Sequence, residues 1–381
     1  MSCDVYITHT ASFLPNDPVD NDSMELVLGQ AGPKPSRARK TILRSNGIKT
    51  RYYAVDPETR QFTHTNAQLA AEAIRGLKSN ALPLNEIDCL ACGTSMADQL
   101  MPNHAVMVHG ELKIPAREVI ATAGICLAGI SALKYAMMAV KSGEHKVAIA
   151  CASDRSSMGM RAENYNAEVA QMVEQLETRP ELAFEKDFLR WMLSDGAGAF
   201  ALEAQPVTSP CLRIDWIDMF SYADEMSACM YAGAIKNPDG SLLGWQDIPQ
   251  QERERQSVFA VKQDVKQLNE HVIHYTVGCA LQSIIKKRSI KPEEVDWFLP
   301  HYSSHFFREK VAAEMAAVNF SIDESRWFTN LYSKGNTGSA SIYIMIDELF
   351  HSGKLKRGER LLCYIPESGR FSSSFMHLTV V

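Results

Sequence analysis

Three side chains carry the chemistry that this sequence offers: Cys126, His301 and Asn336. Cys126 lies in Thr122-Ala-Gly-Ile-Cys-Leu-Ala-Gly129, where small neighbours let the backbone approach a substrate closely. An apolar helical pattern follows, so the cysteine sits at a helix entrance. There the helix dipole and free backbone N–H groups favour a thiolate and hold a developing oxyanion. The bland alternative is a small core residue, the usual fate of a buried cysteine. His301 follows Pro300 at the end of the apolar run Val295-Asp-Trp-Phe-Leu299. A histidine there either exchanges a proton near neutral pH or caps the strand end. His305 is a nearby competitor whose place on a following helix points it elsewhere. Asn336 sits in the glycine-rich Tyr332-Ser-Lys-Gly-Asn-Thr-Gly-Ser-Ala-Ser341. It reads as a helix N-cap or as an amide donating to a substrate oxygen. Papain-like proteases share the order Cys, His, Asn, but their local signature around the cysteine is absent. No GxGxxG after a strand, Walker loop, HExxH or GxSxG competes. The glycines of Ser194-Asp-Gly-Ala-Gly-Ala-Phe200 read as structural, in a turn that enters a strand.

An internal repeat indicates the elements that must position these groups. Ser131 to Gly143 and Ser341 to Gly353 both read as buried helices ending in Ser-Gly, with Gly as the left-handed cap. Each leads into a β-rich run, Val147–Cys151 in one case and Leu361–Ile365 in the other. Upstream, Asp88 leads through an apolar run to Ser95, and Asp296 leads to Ser303 at the same spacing. The offsets are 208 and 210 residues, which implies a duplicated α/β unit. Under that duplication Cys126 and Asn336 are twins, each five residues before its serine, and His301 is the twin of Gly93. The expected division is 1–205 and 206–381. An Glu-rich insertion at 159–190 lacks a counterpart and reads as a lid or as a solvated hairpin.

Composition sets the outer bounds. The 381 residues are 46% apolar and 22% charged, as expected of a globular protein with a duplicated or two-domain core. A net charge of −6 argues against wholesale nucleic-acid binding. No signal peptide or membrane span is legible, and nine scattered cysteines fit a reducing cytoplasm. Cys89 and Cys92 form a lone CxxC in a strand-like run, which is weak support for zinc.

Taken together, the Cys126 segment, Ser194-Asp-Gly-Ala-Gly198, Pro300-His301, Gly335-Asn-Thr-Gly-Ser-Ala-Ser341 and Glu367-Ser-Gly-Arg-Phe371 resemble the thiolase superfamily. The resemblance spans nearly the whole chain and is greatest to the β-ketoacyl-(acyl carrier protein) synthase III family. It implies the thiolase-like duplicated αβαβα five-layer fold, a homodimer and no resident cofactor. It also implies decarboxylative condensation of an acyl group on Cys126 with a malonyl- or β-ketoacyl-type thioester on acyl carrier protein. His301 and Asn336 would stabilise the enolate. The backbone N–H groups of Cys126 and Gly369 would form the oxyanion hole, and Met101 would reach into the partner's acyl pocket. Separately from the resemblance, Arg308 and Lys310, and likewise Lys286, Lys287 and Arg288, read as a contact for a carrier protein's acidic helix or as a solvated charged face.

The chain also departs from that family. In the segment resembling the coenzyme A clamp, Thr41 replaces the stacking Trp, Ser45 the Arg beside it, and Met158 another Arg. Ser304 stands where an Asn usually follows the His, and the closing glycine motif becomes Glu367-Ser-Gly-Arg370. These changes point to a donor other than coenzyme A. They also point to a secondary-metabolism, dialkylresorcinol-type ketosynthase, or to an acyltransferase that does not decarboxylate.

Overall fold

A computed structural model describes residues 3–31, 39–79, 82–165 and 189–381. Nine strands form its large sheet: β1 (Tyr6–Phe13), β2 (Cys89–Thr94), β3 (Glu118–Ala123), β4 (Val147–Asp154), β5 (Gly196–Glu203), β6 (Leu212–Ser221), β7 (Trp297–Pro300), β8 (Arg360–Glu367) and β9 (Ser372–Val380). Their spatial order is β7-β8-β9-β6-β1-β5-β4-β2-β3. The two halves meet where Tyr6 and Ile7 of β1 pair with Arg213 and Leu212 of β6.

The duplication is visible in the pairing. In the first half β2 runs parallel to β3 and β4, while β5 is antiparallel to β4 and β1. In the second half β7 is parallel to β8, and β9 is antiparallel to β8 and β6. The counterpart of β3 is reduced to one parallel bridge between Phe298 and Trp327. The Asp residues that flagged the repeat do the same work in both halves. The Asp88 N–H donates to Val147 O and the Asp296 N–H to Arg360 O, each at 2.9 Å.

Helices fill the layers on either side. The principal ones are α1 (Asn66–Ser79), α2 (His104–Leu112), α3 (Leu127–Lys141), α4 (Val265–Ile273), α5 (Ala280–Arg288), α6 (Arg308–Ala317) and α7 (Ser341–His351). Side chains alternate across each strand, so each half-sheet has two apolar faces. Ala148 and Ala150 of β4 and Leu361 and Cys363 of β8 face a shared core that holds α3 and α7. Ile149 and Cys151 turn outward onto α1 and α2, while Leu362 and Tyr364 turn outward onto α4, α5 and α6. The sequence of layers is therefore helix, sheet, helix, sheet, helix, the five-layer arrangement expected above. Gly143 and Gly353 end the central helices at φ +80° and +71°, the left-handed cap expected of each. No helix among the described residues is long and apolar enough to cross a membrane. Of the 159–190 insertion, residues 166–188 lie outside the described residues.

Candidate active site

The central helices bring the site together. Cys126 occupies the N-cap position of the 15-residue α3. The start of that helix lies on Gly93 of β2. A Cβ on Gly93 would fall 2.3 Å from the Ala128 carbonyl oxygen, so only glycine allows this approach. In the second half the twin of Gly93 is His301, just past the end of β7, and it lines the cavity described next.

Cys126, His301 and Asn336 line one cavity with an empty volume of about 1030 Å³. Its walls are mostly apolar, with Met96, Met160, Met192, Leu268, Val272 and Val311 among them. Met160 and Leu189, at the two ends of the insertion, also face this space. His305 and Gly369 are not part of the lining.

Each polar group in the cavity is held from outside. The His301 N–H donates to Tyr364 O at 2.8 Å, tying the end of β7 to β8. The ring is buried, which depresses its pKa to about 4 and leaves it neutral near pH 7. Asn336 donates its backbone N–H to Met192 O at 2.9 Å and accepts from the Ser194 N–H at 2.8 Å. Its side-chain oxygen accepts from the Gly338 N–H at 3.0 Å, so the amide nitrogen is the group left to donate. The N-cap position of the following turn falls to Thr337, so Asn336 lies one residue before the cap.

The thiol differs from expectation. A helix entrance was expected to favour the thiolate, yet burial, reinforced by the Glu367 and Asp154 carboxylates, pushes the Cys126 thiol well above its ordinary pKa. Burial is the main cause, and the positive end of α3 offers little relief because it is already engaged. Glu367 Oε2 accepts from the Ile125 N–H at 2.8 Å and from the Leu127 N–H at 3.0 Å.

Asp154, absent from the expected site, ties the two halves together beside Cys126. It accepts from the Ser95 N–H and Oγ at 2.8 Å each, from Thr94 Oγ1 at 3.1 Å and from the Ser339 N–H at 2.6 Å. Burial raises its pKa against these donors. Its position after Ser153 at a strand end was the only signal in the sequence. Asp195, in the Ser-Asp-Gly turn, likewise accepts from the Ala54 N–H at 2.7 Å and the Ser157 N–H at 2.8 Å, and burial raises its pKa to about 6.

The remaining expected residues are scattered. Gly369 packs against Ile125, and its carbonyl accepts from the Cys229 N–H at 2.7 Å. Ser368 is the member of that motif that faces the cavity. Met101 is 83% exposed beside the equally apolar Leu100. Arg308 is not a free cation: it pairs with Glu324 at 2.8 Å and stacks on Trp327. Lys310 lies over the Phe306 ring. Lys287 and Arg288 both bind Asp218 at 2.7 Å, whereas Lys286 is exposed. In the clamp-like segment Thr41 and Ser45 are exposed, while Arg51 is buried on Asn21 and the Trp191 carbonyl. Cys89 does not join Cys92. Its thiol lies instead near Glu118 and His145, where Glu118 already accepts from Tyr135 and meets His145 Nε2 at 3.0 Å.

Known proteins share this plan. A family model for the C-terminal portion of 3-oxoacyl-[acyl-carrier-protein] synthase III matches residues 285–365. The β-ketoacyl-[acyl-carrier-protein] synthase III of Chlamydia pneumoniae is 23% identical over 93% of this chain and 90% of its own length. Among solved structures, AbyA1, a tetronic acid condensing enzyme, superposes with a TM-score of 0.75 at 20% identity over 98% of this chain and 99% of its own. Xanthomonas campestris OleA with bound lauric acid and lauroyl-CoA gives 0.72 at 19% identity, covering both chains fully (100%). With Cys126, His301 and Asn336 in one cavity, these matches make the chain similar to the synthase III condensing enzymes, whose fold it shares.

Proposed function

We propose that this protein is a ketosynthase that joins a Cys126-bound acyl group to the enolate of a malonyl- or β-ketoacyl-type thioester presented on acyl carrier protein. The observation that carries this reading is the shared cavity: a thiol, a neutral imidazole and an amide donor open onto one apolar space. Thioester exchange on Cys126 is close to thermoneutral, and the apolar walls take the acyl chain. Loss of carbon dioxide then leaves an enolate oxygen, which hydrogen bonds from His301 and Asn336 stabilise without a strong base. A histidine that stays neutral is the form this step needs. Protonated, it would arrest the negative charge on the carboxylate that must leave.

The bound lauric acid and lauroyl-CoA of OleA favour a medium or long acyl chain for a cavity of this size and lining. The exposed Thr41 and Ser45 offer neither a stacking ring nor a guanidinium to coenzyme A, which favours the carrier protein as donor. A homodimer accounts for two otherwise awkward features, the unpaired outer edge of β3 and the exposed Leu100-Met101. Met101 then serves the partner's pocket. The altered clamp and closing motif favour secondary metabolism over fatty-acid initiation.

Intact-mass analysis after incubation with acyl-coenzyme A and acyl-carrier-protein panels tests the reading. Wild type gains one acyl group, and Cys126→Ala gains none. His301→Ala still loads but releases no carbon dioxide from malonyl-carrier protein. Loading without decarboxylation by the wild type would instead favour simple acyl transfer to another nucleophile.

A further inference from the structure

Among the described residues, Glu367 is the one acidic residue that binds the backbone of the loop carrying Cys126. It ends β8, and a single oxygen of its carboxylate accepts from the amides on both sides of Cys126, those of Ile125 and Leu127. The Cys126 N–H between them is turned toward its own thiol sulfur, the atom that takes up the acyl group. The Leu127 N–H is one of the donors that every helix leaves unsatisfied at its start. The contact therefore has the character of a helix cap supplied from a strand 240 residues away. From these contacts we propose that Glu367 is a positioning residue for the nucleophile: it pins the two flanking amides and leaves the Cys126 N–H as the donor for a thioester oxygen. This rests on Cys126 being the acylated residue.

The geometry has two effects that pull apart. Pinning both neighbours fixes the direction of the central amide, as an oxyanion donor requires. The charge opposes ionisation of the adjacent thiol. The groups that face Cys126 are Glu367 from β8, Asp154 from β4, His301 beyond β7 and, in the same cavity, Arg155. Of these, the two carboxylates hold the proton on sulfur, and His301 is neutral. During loading that proton ends on the departing thiol: the Cys126 S–H and the donor's C–S bond break, and a new C–S bond and a new S–H form. The resting enzyme thus keeps a quiet thiol, and the prepared amide acts only when a carbonyl arrives.

Two reactions at Cys126 separate these effects in the full-length protein. Alkylation by iodoacetamide reads thiol ionisation and involves no oxyanion. Acylation by the lauroyl thioester of N-acetylcysteamine requires the amide donor as well. Glu367→Ala is expected to lower acylation relative to alkylation by about tenfold or more, a fraction of what losing an oxyanion donor outright costs. Glu367→Gln keeps an oxygen able to accept from both amides and should restore the ratio to near wild type. In both variants the pH midpoint of alkylation should move down, because a negative charge has gone. An unchanged ratio in Glu367→Ala, or a Gln variant no better than Ala, overturns the positioning role. If Glu367→Ala does not fold, Glu367→Asp takes its place: it keeps the charge but shortens the reach to the two amides, and an unchanged ratio there does the same. Alkylation gives its answer even if the wild type accepts no acyl thioester, an outcome that counts against the ketosynthase reading alone.

Discussion

At the scale of single residues, the site pairs two groups whose burial works in opposite electrostatic senses. Burial holds the Cys126 thiol neutral by raising its pKa and holds His301 neutral by lowering its pKa to about 4. The two half-reactions should therefore respond differently to pH. Loading needs the thiolate, whose fraction grows about tenfold per pH unit below the thiol pKa. Single-turnover acylation followed by rapid quench and intact mass should climb between pH 7 and 9 without a plateau. Decarboxylation of malonyl-carrier protein by preloaded enzyme depends on neutral His301. It should stay flat from pH 7 to 5 and fall only toward 4. A decarboxylation limb centred near 6.5, the ordinary histidine value, would show that His301 is not buried as described. That Cys126, His301 and Asn336 would share one cavity was legible because each lies in a short glycine-rich or strand-end pattern that local sequence displays. Glu367 and Asp154 were not. Their roles depend on partners 242 and 185 residues away, and an isolated acid gives no hint of which amide it will meet.

At the scale of elements, the site depends on how closely α3 approaches β2. A Cβ added at Gly93 would fall 2.3 Å from the Ala128 carbonyl oxygen, 2.5 Å from its carbon and 2.8 Å from the Gly129 nitrogen. All are backbone atoms, so an added methyl group can be accommodated only by moving the helix start, and Cys126 with it. Gly93→Ala should cost about 1–3 kcal/mol, the usual range for overpacking a core, and should lower acyl loading beyond what lost stability explains. Gly143 provides the contrast. It needs its positive φ, which Gly93 does not have, and nothing lies within 4 Å of its Cβ position. Gly143→Ala should cost about 1–2 kcal/mol for the left-handed backbone and leave loading per folded molecule unchanged. Thermal melts and intact-mass loading on both variants check this. Equal loading in the two would disprove the claim that the α3–β2 contact sets the position of the nucleophile. The repeat made these elements readable, since both central helices end in the same Ser-Gly. It failed where the copies diverged: the second half reduces its third strand to one bridge at Trp327, which has no periodic signature.

At the scale of the whole molecule, five layers bury the cavity and several ionisable groups between sheets. The fold must then keep those groups neutral or satisfy them. His104, the first residue of α2, is buried with its Nε2 3.0 Å from Ser153 Oγ, and burial lowers its pKa to about 4, as for His301. Both folded values lie below the ordinary 6.5. The unfolded chain therefore binds more protons in this window, and the stability these groups contribute above pH 6.5 is lost as pH falls toward 4. Asp195 acts in the opposite sense. Its raised value of about 6 means that the folded chain takes up a proton first, so its burial penalty is relieved as pH falls through 6. Integrating these shifts from pH 7 to 5, each histidine costs about 2 kcal/mol and Asp195 returns about 1 kcal/mol. The melting temperature should therefore fall over that range. His104→Gln, which replaces the imidazole with a group that does not titrate, should lose about 2 kcal/mol less over the same two pH units. The comparison is of slopes, so it stands whatever the substitution costs at pH 7. Parallel slopes for the two proteins would mean that His104 is hydrated or already charged in the folded state. A flatter slope in the variant would establish that the interior which isolates the reaction from water also sets the lower pH limit of the fold.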